Sequence, residues 1–159
     1  MLNIYTSDKK SLVKHDAVAD VPTDAVWIDM LNPTPEEEAA VERALDIDVP
    51  TREEMKAIEI SNRLYKDGEA LFMTATMIAG TETEMPHSVP ITFILVNHKL
   101  VSVRYHDHKA FEIFEARLKR NGSKAAPAET MFVDFLETII DRLSNPLEEM
   151  SAKIDLLSQ

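Results

Sequence analysis

The chain has 159 residues, 45% apolar and 28% charged, the balance of a folded globular protein of about one domain. Its 28 acidic against 17 basic residues give a net charge of -11, a surface that repels nucleic acid and anionic lipid and attracts cations. The absence of cysteine excludes disulfide scaffolds and thiolate metal sites, and no window approaches the roughly 20 apolar residues that span a bilayer.

Leu2 to Thr6 alternates as a strand does, with Ser11 to His15 as its hairpin partner across Ser7-Asp8-Lys9-Lys10. Nothing at this end has the basic segment and apolar run of a signal peptide, so the chain reads as soluble and cytosolic. Pro22 and Asp24 break the chain before Ala25 to Met30, a buried strand. A helix then opens at Thr34-Pro35, with Thr34 as N-cap and Glu37 closing a capping box. Glu36 to Glu38 suit the positive end of its dipole, and Ala39, Ala40, Val41, Ala44 and Leu45 supply its buried side.

The device repeats at Thr51, with Arg52-Glu53-Glu54 as first turn and Met55 and Ile58 pointing inward. Ile58 to Lys66 and Glu69 to Ala79 flank Asp67-Gly68, a hairpin signal in which Met73 to Met77 reads as a central strand. Gly80 to His87 is a polar connection. Val89 to Val96 and Leu100 to Tyr105 form another hairpin around Asn97-His98-Lys99. Lys109 to Lys119 is amphipathic through Phe111, Phe114 and Leu118, and Arg120 to Pro127 is a polar linker.

From Ala128 onward, Phe132, Phe135, Ile139, Leu143, Leu147, Met150, Ile154 and Leu157 recur every three or four residues, the stripe of one long helix. Met131, Leu136 and Ile140 widen it. The pattern is still running two residues before the last residue, which leads us to expect a fragment of something longer. Pro146 allows either a break at Ser144-Asn145-Pro146 or a bend in one helix. The expected division is an α/β unit over 1–126 and the start of a helical extension over 127–159. The expected fold is a mixed, largely antiparallel sheet with helices on its faces.

Phosphate-binding glycine loops cannot be built from three glycines, and no Gly-x-Ser-x-Gly elbow or cysteine nucleophile exists. His106-Asp107-His108 is the best zinc-like cluster, because residues two apart on a strand share a face; on it rests the weakest candidate function, a zinc hydrolase. It lacks a third ligand at recognisable spacing, and a solvated turn with Asp107 as N-cap is the competing reading. Glu53 and Glu54 are accounted for by capping and the dipole, Glu137 and Asp141 by solvation of one helix face.

Trp27-Ile28-Asp29-Met30-Leu31-Asn32-Pro33-Thr34-Pro35-Glu36-Glu37 resembles the opening of the cytoplasmic domain in bacterial CorA-type magnesium transporters. The similarity continues in order through Pro50 to Met55, the Arg63-containing hairpin, Thr92 to Leu95 and Leu100 to Arg104. It ends with Asp141, Pro146-Leu147-Glu148 and Lys153-Ile154-Asp155 on a helix like the family's long fifth one, in which a proline is familiar there. The resemblance implies an α/β/α sandwich with a long C-terminal helix, serving as the intracellular part of a pentameric transporter for Mg²⁺, with Co²⁺ or Ni²⁺ as further candidates. It implies no enzymatic activity. Its stalk helix, membrane helices and Gly-Met-Asn loop would follow this chain, so membrane contact would lie only there and localisation at the cytoplasmic face of the plasma membrane.

The resemblance also implies regulatory Mg²⁺ between neighbouring copies, with Glu53, Glu54 and Glu137 at the family's acidic positions. Two departures bear on that: Arg63 is followed by Leu64-Tyr65-Lys66 where the family often has Arg-Pro-Lys, and glutamates stand where aspartates are familiar. The alternatives are the zinc-transporting branch of the superfamily and a stand-alone α/β interaction module that pairs through its last helix.

Overall fold

The alternating N-terminal run forms β1 (Leu2–Asp8), antiparallel to β2 (Ser11–Asp16) on one side and to β3 (Ala25–Leu31) on the other. This computed structural model describes residues 1–8, 11–16, 20–59, 62–80, 87–120 and 127–157, without the side chains of residues 7, 8, 11, 12, 16 and 143–157. Lys9, Lys10, most of the connection before His87 and most of the linker before Pro127 therefore lie outside the described residues.

Helix α1 (Pro35–Leu45) starts as its sequence requires. Thr34 Oγ accepts from the Glu37 N–H while the Glu37 carboxylate accepts from the Thr34 N–H, so two orphan donors are satisfied reciprocally. Val41 and Leu45 are buried, whereas Ala44, expected on the buried side, is exposed. Helix α2 (Arg52–Ala57) opens with the same box at Thr51 and Glu54 and buries Met55. Ile58 is only half-buried, at the C-cap.

The strand expected from Ile58 begins later, as β4 (Leu64–Asp67), because the Asn62 N–H bonds back to the Glu59 carbonyl in a turn. Every residue of β4 is exposed, which marks a sheet edge. Gly68, at φ 55°, makes the turn into β5 (Ala70–Ala79). The long hairpin continues through β6 (His87–Val96) into β7 (Lys99–Arg104). Asn97 and His98 between them both have positive φ, 48° and 58°, as a tight two-residue hairpin turn demands. Then follow α3 (Lys109–Arg120) and α4 (Ala128–Leu157), whose backbone stays helical through Pro146. No helix among the described residues is long and apolar enough to cross a membrane.

One seven-stranded sheet results, in the order β2-β1-β3-β7-β6-β5-β4, antiparallel except for the β3–β7 pair. β7 is the central strand, and β5, expected at the centre, is next to the edge because only the exposed β4 lies beyond it. The strand period of two sends alternate residues to two cores. Leu2, Ile4, Ile28, Met30, Val101 and Val103 pack with Val41, Leu45 and Met55 of α1 and α2. Tyr5, Trp27, Phe93 and Leu100 pack on the other face with Phe111 and Phe114 of α3 and with Met131, Phe135 and Ile139 of α4. The fold is an α/β/α sandwich.

Phe135 explains why α4 seats firmly. Its ring stacks on Phe114 at 4.3 Å and meets Phe111, Phe93 and Trp27 edge-on at 4.6, 5.3 and 5.9 Å. Such pairs add about 0.5–1.5 kcal/mol each beyond area burial. The second apolar row of this helix splits: Met131 is buried and Leu136 partly buried, but Ile140 is 63% exposed.

Candidate carboxylate sites and the buried polar ladder

Glu53 and Glu54 occupy the first turn of α2 because Thr51, in extended conformation, is a favourable N-cap. Glu54 Oε2 accepts from both the Thr51 N–H and its hydroxyl, each at 2.8 Å, and these bonds hold the Glu54 carboxyl below the usual carboxylate range. Glu53, one residue on, is exposed and makes no hydrogen bond or ion pair among the described residues. Its charge is felt by Tyr105. Burial, Glu38 and then Glu53 push that phenol up to about 12.

Glu137 and Asp141 are exposed on α4, again without such partners among the described residues. The decisive geometry is one of layers. α2 packs with the core on one face of the sheet and α4 with the core on the other, so one chain does not bring Glu53 or Glu54 to Glu137. Among the described residues no group of three or more His, Asp or Glu could hold a metal ion.

The histidine pair that a strand would have placed on one face is not so placed. His108 is buried with both ring nitrogens engaged: Nε2–H donates to the Ile78 carbonyl at 3.1 Å and Nδ1 accepts from the Ala110 N–H at 3.2 Å. It caps α3 in place of Asp107, whose carboxylate is held by Arg104. His106 lies in a bend beyond β7, where its Nδ1–H donates to the Asp107 carbonyl at 2.7 Å. The chemistry required of a zinc hydrolase is therefore missing at His108.

Two features escaped the sequence. The first is a buried polar ladder across the parallel β3–β7 pair. Trp27 Nε1–H donates to Ser102 Oγ, which donates to Asp29 Oδ1, and Arg104 closes on the same carboxylate. The second is a cleft of about 480 Å³ whose lining includes Asp48, Glu54, Glu59 and Asp67. Burial raises the Tyr65 phenol there, and the charges of Asp67, Asp48 and Glu54 add to the rise. Its four carboxylates come from four separate segments, with no spacing to betray them.

A family model described as CorA-like Mg2+ transporter protein matches residues 23–159. The magnesium transport protein CorA of Wolinella succinogenes is 29% identical over 121 residues, covering 70% of this chain and 37% of that protein. Among solved structures, the complete CorA magnesium transporter from Methanocaldococcus jannaschii superposes with a TM-score of 0.71 at 14% identity, over 99% of this chain and 50% of that one. The cytoplasmic domain of ZntB from Vibrio parahaemolyticus superposes with a TM-score of 0.61 at 14% identity, over 92% of this chain and 62% of that one. Both superpositions speak to fold alone. The chain thus spans about half or less of the whole transporters it matches.

Proposed function

Since the chain belongs to the family of CorA-like Mg²⁺ transporter proteins, we propose that it is the cytoplasmic regulatory domain of a divalent-cation transporter. Mg²⁺ is the foremost cargo, with Co²⁺ and Ni²⁺ as further ones, and the role is transport rather than catalysis. Glu53, Glu54 and Glu137 would hold regulatory Mg²⁺ between neighbouring copies of a pentamer at the inner face of the membrane.

The observation that carries this reading is the separation of α2 and α4 onto opposite faces of one sheet. A site that uses carboxylates from both helices is incomplete in one copy and complete between two. The donor chemistry fits. Mg²⁺ is a hard cation that keeps several waters and takes one or two carboxylates, and Glu53 and Glu137 offer exposed ones. Glu54 fits less well, because one of its oxygens already serves the cap.

A bridging ion stabilises the state it bridges by RT ln(1 + [L]/Kd), about 2.7 kcal/mol at a hundredfold excess over Kd. At low Mg²⁺ that contribution disappears and the copies are free to rearrange. The zinc-transporting branch is the alternative, and carboxylates without thiolates favour Mg²⁺ over it. The test is limited proteolysis of the full-length protein with and without Mg²⁺. Glu53→Ala combined with Glu137→Ala is expected to abolish Mg²⁺ protection; undiminished protection would remove both residues from the proposal. An unchanged response to Zn²⁺ but not Mg²⁺ would favour the zinc branch, and no ion response at all the stand-alone module.

A further inference from the structure

We propose that a small cavity between α2 and the open end of the β6–β7 hairpin binds hydrogen phosphate. The cavity, about 190 Å³, is lined by Arg52 and Lys56 of α2, His87 and Ser88 of β6, and Tyr105 and His106 beyond β7. Among the described residues its lining contains no carboxylate, although the chain has 28 acidic residues against 17 basic ones. The cleft on the other side of α2 is lined by four carboxylates, so this short helix divides an acidic cavity from a basic one.

The cations are available and the site is held in shape. Among the described residues neither Arg52 nor Lys56 pairs with a carboxylate. Arg52 instead carries its guanidinium 5.8 Å above the Tyr105 ring, and the Tyr105 hydroxyl donates to Glu38. His106 is fixed from two directions: its carbonyl accepts from buried Arg104 Nη1 at 3.3 Å and its Nδ1–H donates to Asp107. Its ring meets that of His87 edge-on at 5.1 Å. Among the described residues the carboxylates nearby are Glu38, Glu53 and Asp107; Asp107 is turned to Arg104, which it shares with Asp29, and none of the three lines the cavity. A planar guanidinium and an ammonium on one wall match an oxyanion, the guanidinium by two parallel bonds.

Size and proton count narrow the ligand. A volume of about 190 Å³ is enough for a tetrahedral oxyanion but below the ~300 Å³ at which pockets for larger organic ligands begin. With Nδ1 carrying the proton, His106 Nε2 is an acceptor, and hydrogen phosphate has a P–OH to donate to it. Sulfate has none.

The test is calorimetric titration of the purified chain with inorganic phosphate at pH 8 in a buffer free of oxyanions, with sodium sulfate as the second arm. One saturable phosphate site is expected, with sulfate at least several-fold weaker. Arg52→Ala with Lys56→Ala is expected to weaken phosphate binding about tenfold or more. Lys56→Ala alone, a change on an exposed helix face, should weaken it less, and near-ultraviolet dichroism of buried Trp27 reports that each variant is folded. No saturable binding by the unaltered chain, equal affinity in the folded double variant, or sulfate binding as tightly as phosphate would each overturn the proposal. None of these outcomes depends on the transport reading.

Discussion

Arg104 on β7 grips Asp29 on the parallel neighbour β3 with two hydrogen bonds, Nε to Oδ1 at 3.0 Å and Nη2 to Oδ2 at 2.8 Å. The side chains are 5% and 3% exposed, so the pair lies in the interior. Burial alone would lower the guanidinium's proton affinity; the bonds and charges of Asp29 and Asp107 reverse that, and Arg104 is held above its usual range. Its plane also lies 3.9 Å from the Phe111 centroid, tying the sheet to α3.

Removing one partner of a buried pair leaves the other charge uncompensated and costs about 3–5 kcal/mol. Asp29→Ala and Arg104→Ala are each expected to lose stability on that scale in urea unfolding. Asp29→Leu with Arg104→Met should lose much less than the sum of the two, because no buried charge is left unpaired and Asp107, which loses Arg104, is exposed. Single variants within about 0.5 kcal/mol of the parent would show that the pair is solvated after all.

His108 gives the fold a pH dependence in a defined window. Burial lowers its proton affinity, with Arg142, Arg104 and His106 adding to that and the Ile78 carbonyl opposing it. Its folded value is thus below the unfolded one, about 6.5, and the unfolded chain binds more protons between the two. Stability is full above the unfolded value and falls as pH drops through it towards the folded one. Glu37, Glu54 and Glu115 are held below the usual carboxylate range, so their losses come at lower pH, beneath about 4.5. Urea midpoints at pH 8 and pH 5.5 should differ for the parent and much less for His108→Gln. An equal drop in both would assign the effect to other groups.

Thr51→Ala removes the side-chain acceptor at the start of α2 and should cost about 0.5–2 kcal/mol. Glu54→Gln separates capping from charge, since a glutamine at this position still reaches back to the N-cap N–H. Stability is expected to survive it within about 0.5 kcal/mol. If Glu54 also binds Mg²⁺, the same variant loses part of the Mg²⁺ response at unchanged stability. Loss of both together would mean that the residue acts through the helix alone.

Local chemistry made much of this legible. Both capping boxes follow from Thr34–Glu37 and Thr51–Glu54, four residues apiece, and the Asn97-His98 turn from its flanking strands. The helix stripe at Phe132, Phe135 and Ile139 needed only its spacing. What the sequence hid is long-range. Trp27, Asp29, Ser102 and Arg104 meet because β3 and β7 pair in parallel across more than seventy residues, and no local signal orders strands in a sheet. For the same reason Met73 to Met77 looked central: a half-apolar strand beside an edge carries the same alternation as one in the middle. The role of His108 was not legible because a histidine that caps a helix has the same sequence appearance as one that binds zinc or faces solvent.

The layer geometry yields a test that single substitutions cannot. If regulatory Mg²⁺ is held by Glu53 of one copy and Glu137 of the next, chains with Glu53→Ala still carry an intact Glu137, and chains with Glu137→Ala an intact Glu53. Each kind alone should assemble into full-length oligomers that Mg²⁺ protects poorly from proteolysis. Both residues are exposed, so neither substitution should alter stability by more than about 0.5 kcal/mol. Co-assembled at equal amounts around a ring, about one interface in four regains both carboxylates, and partial Mg²⁺ protection should return. A site contained within one chain gives no such rescue, because every mixed copy still lacks one ligand. Mixed oligomers as unprotected as either parent variant would therefore sink the shared site while leaving the fold untouched.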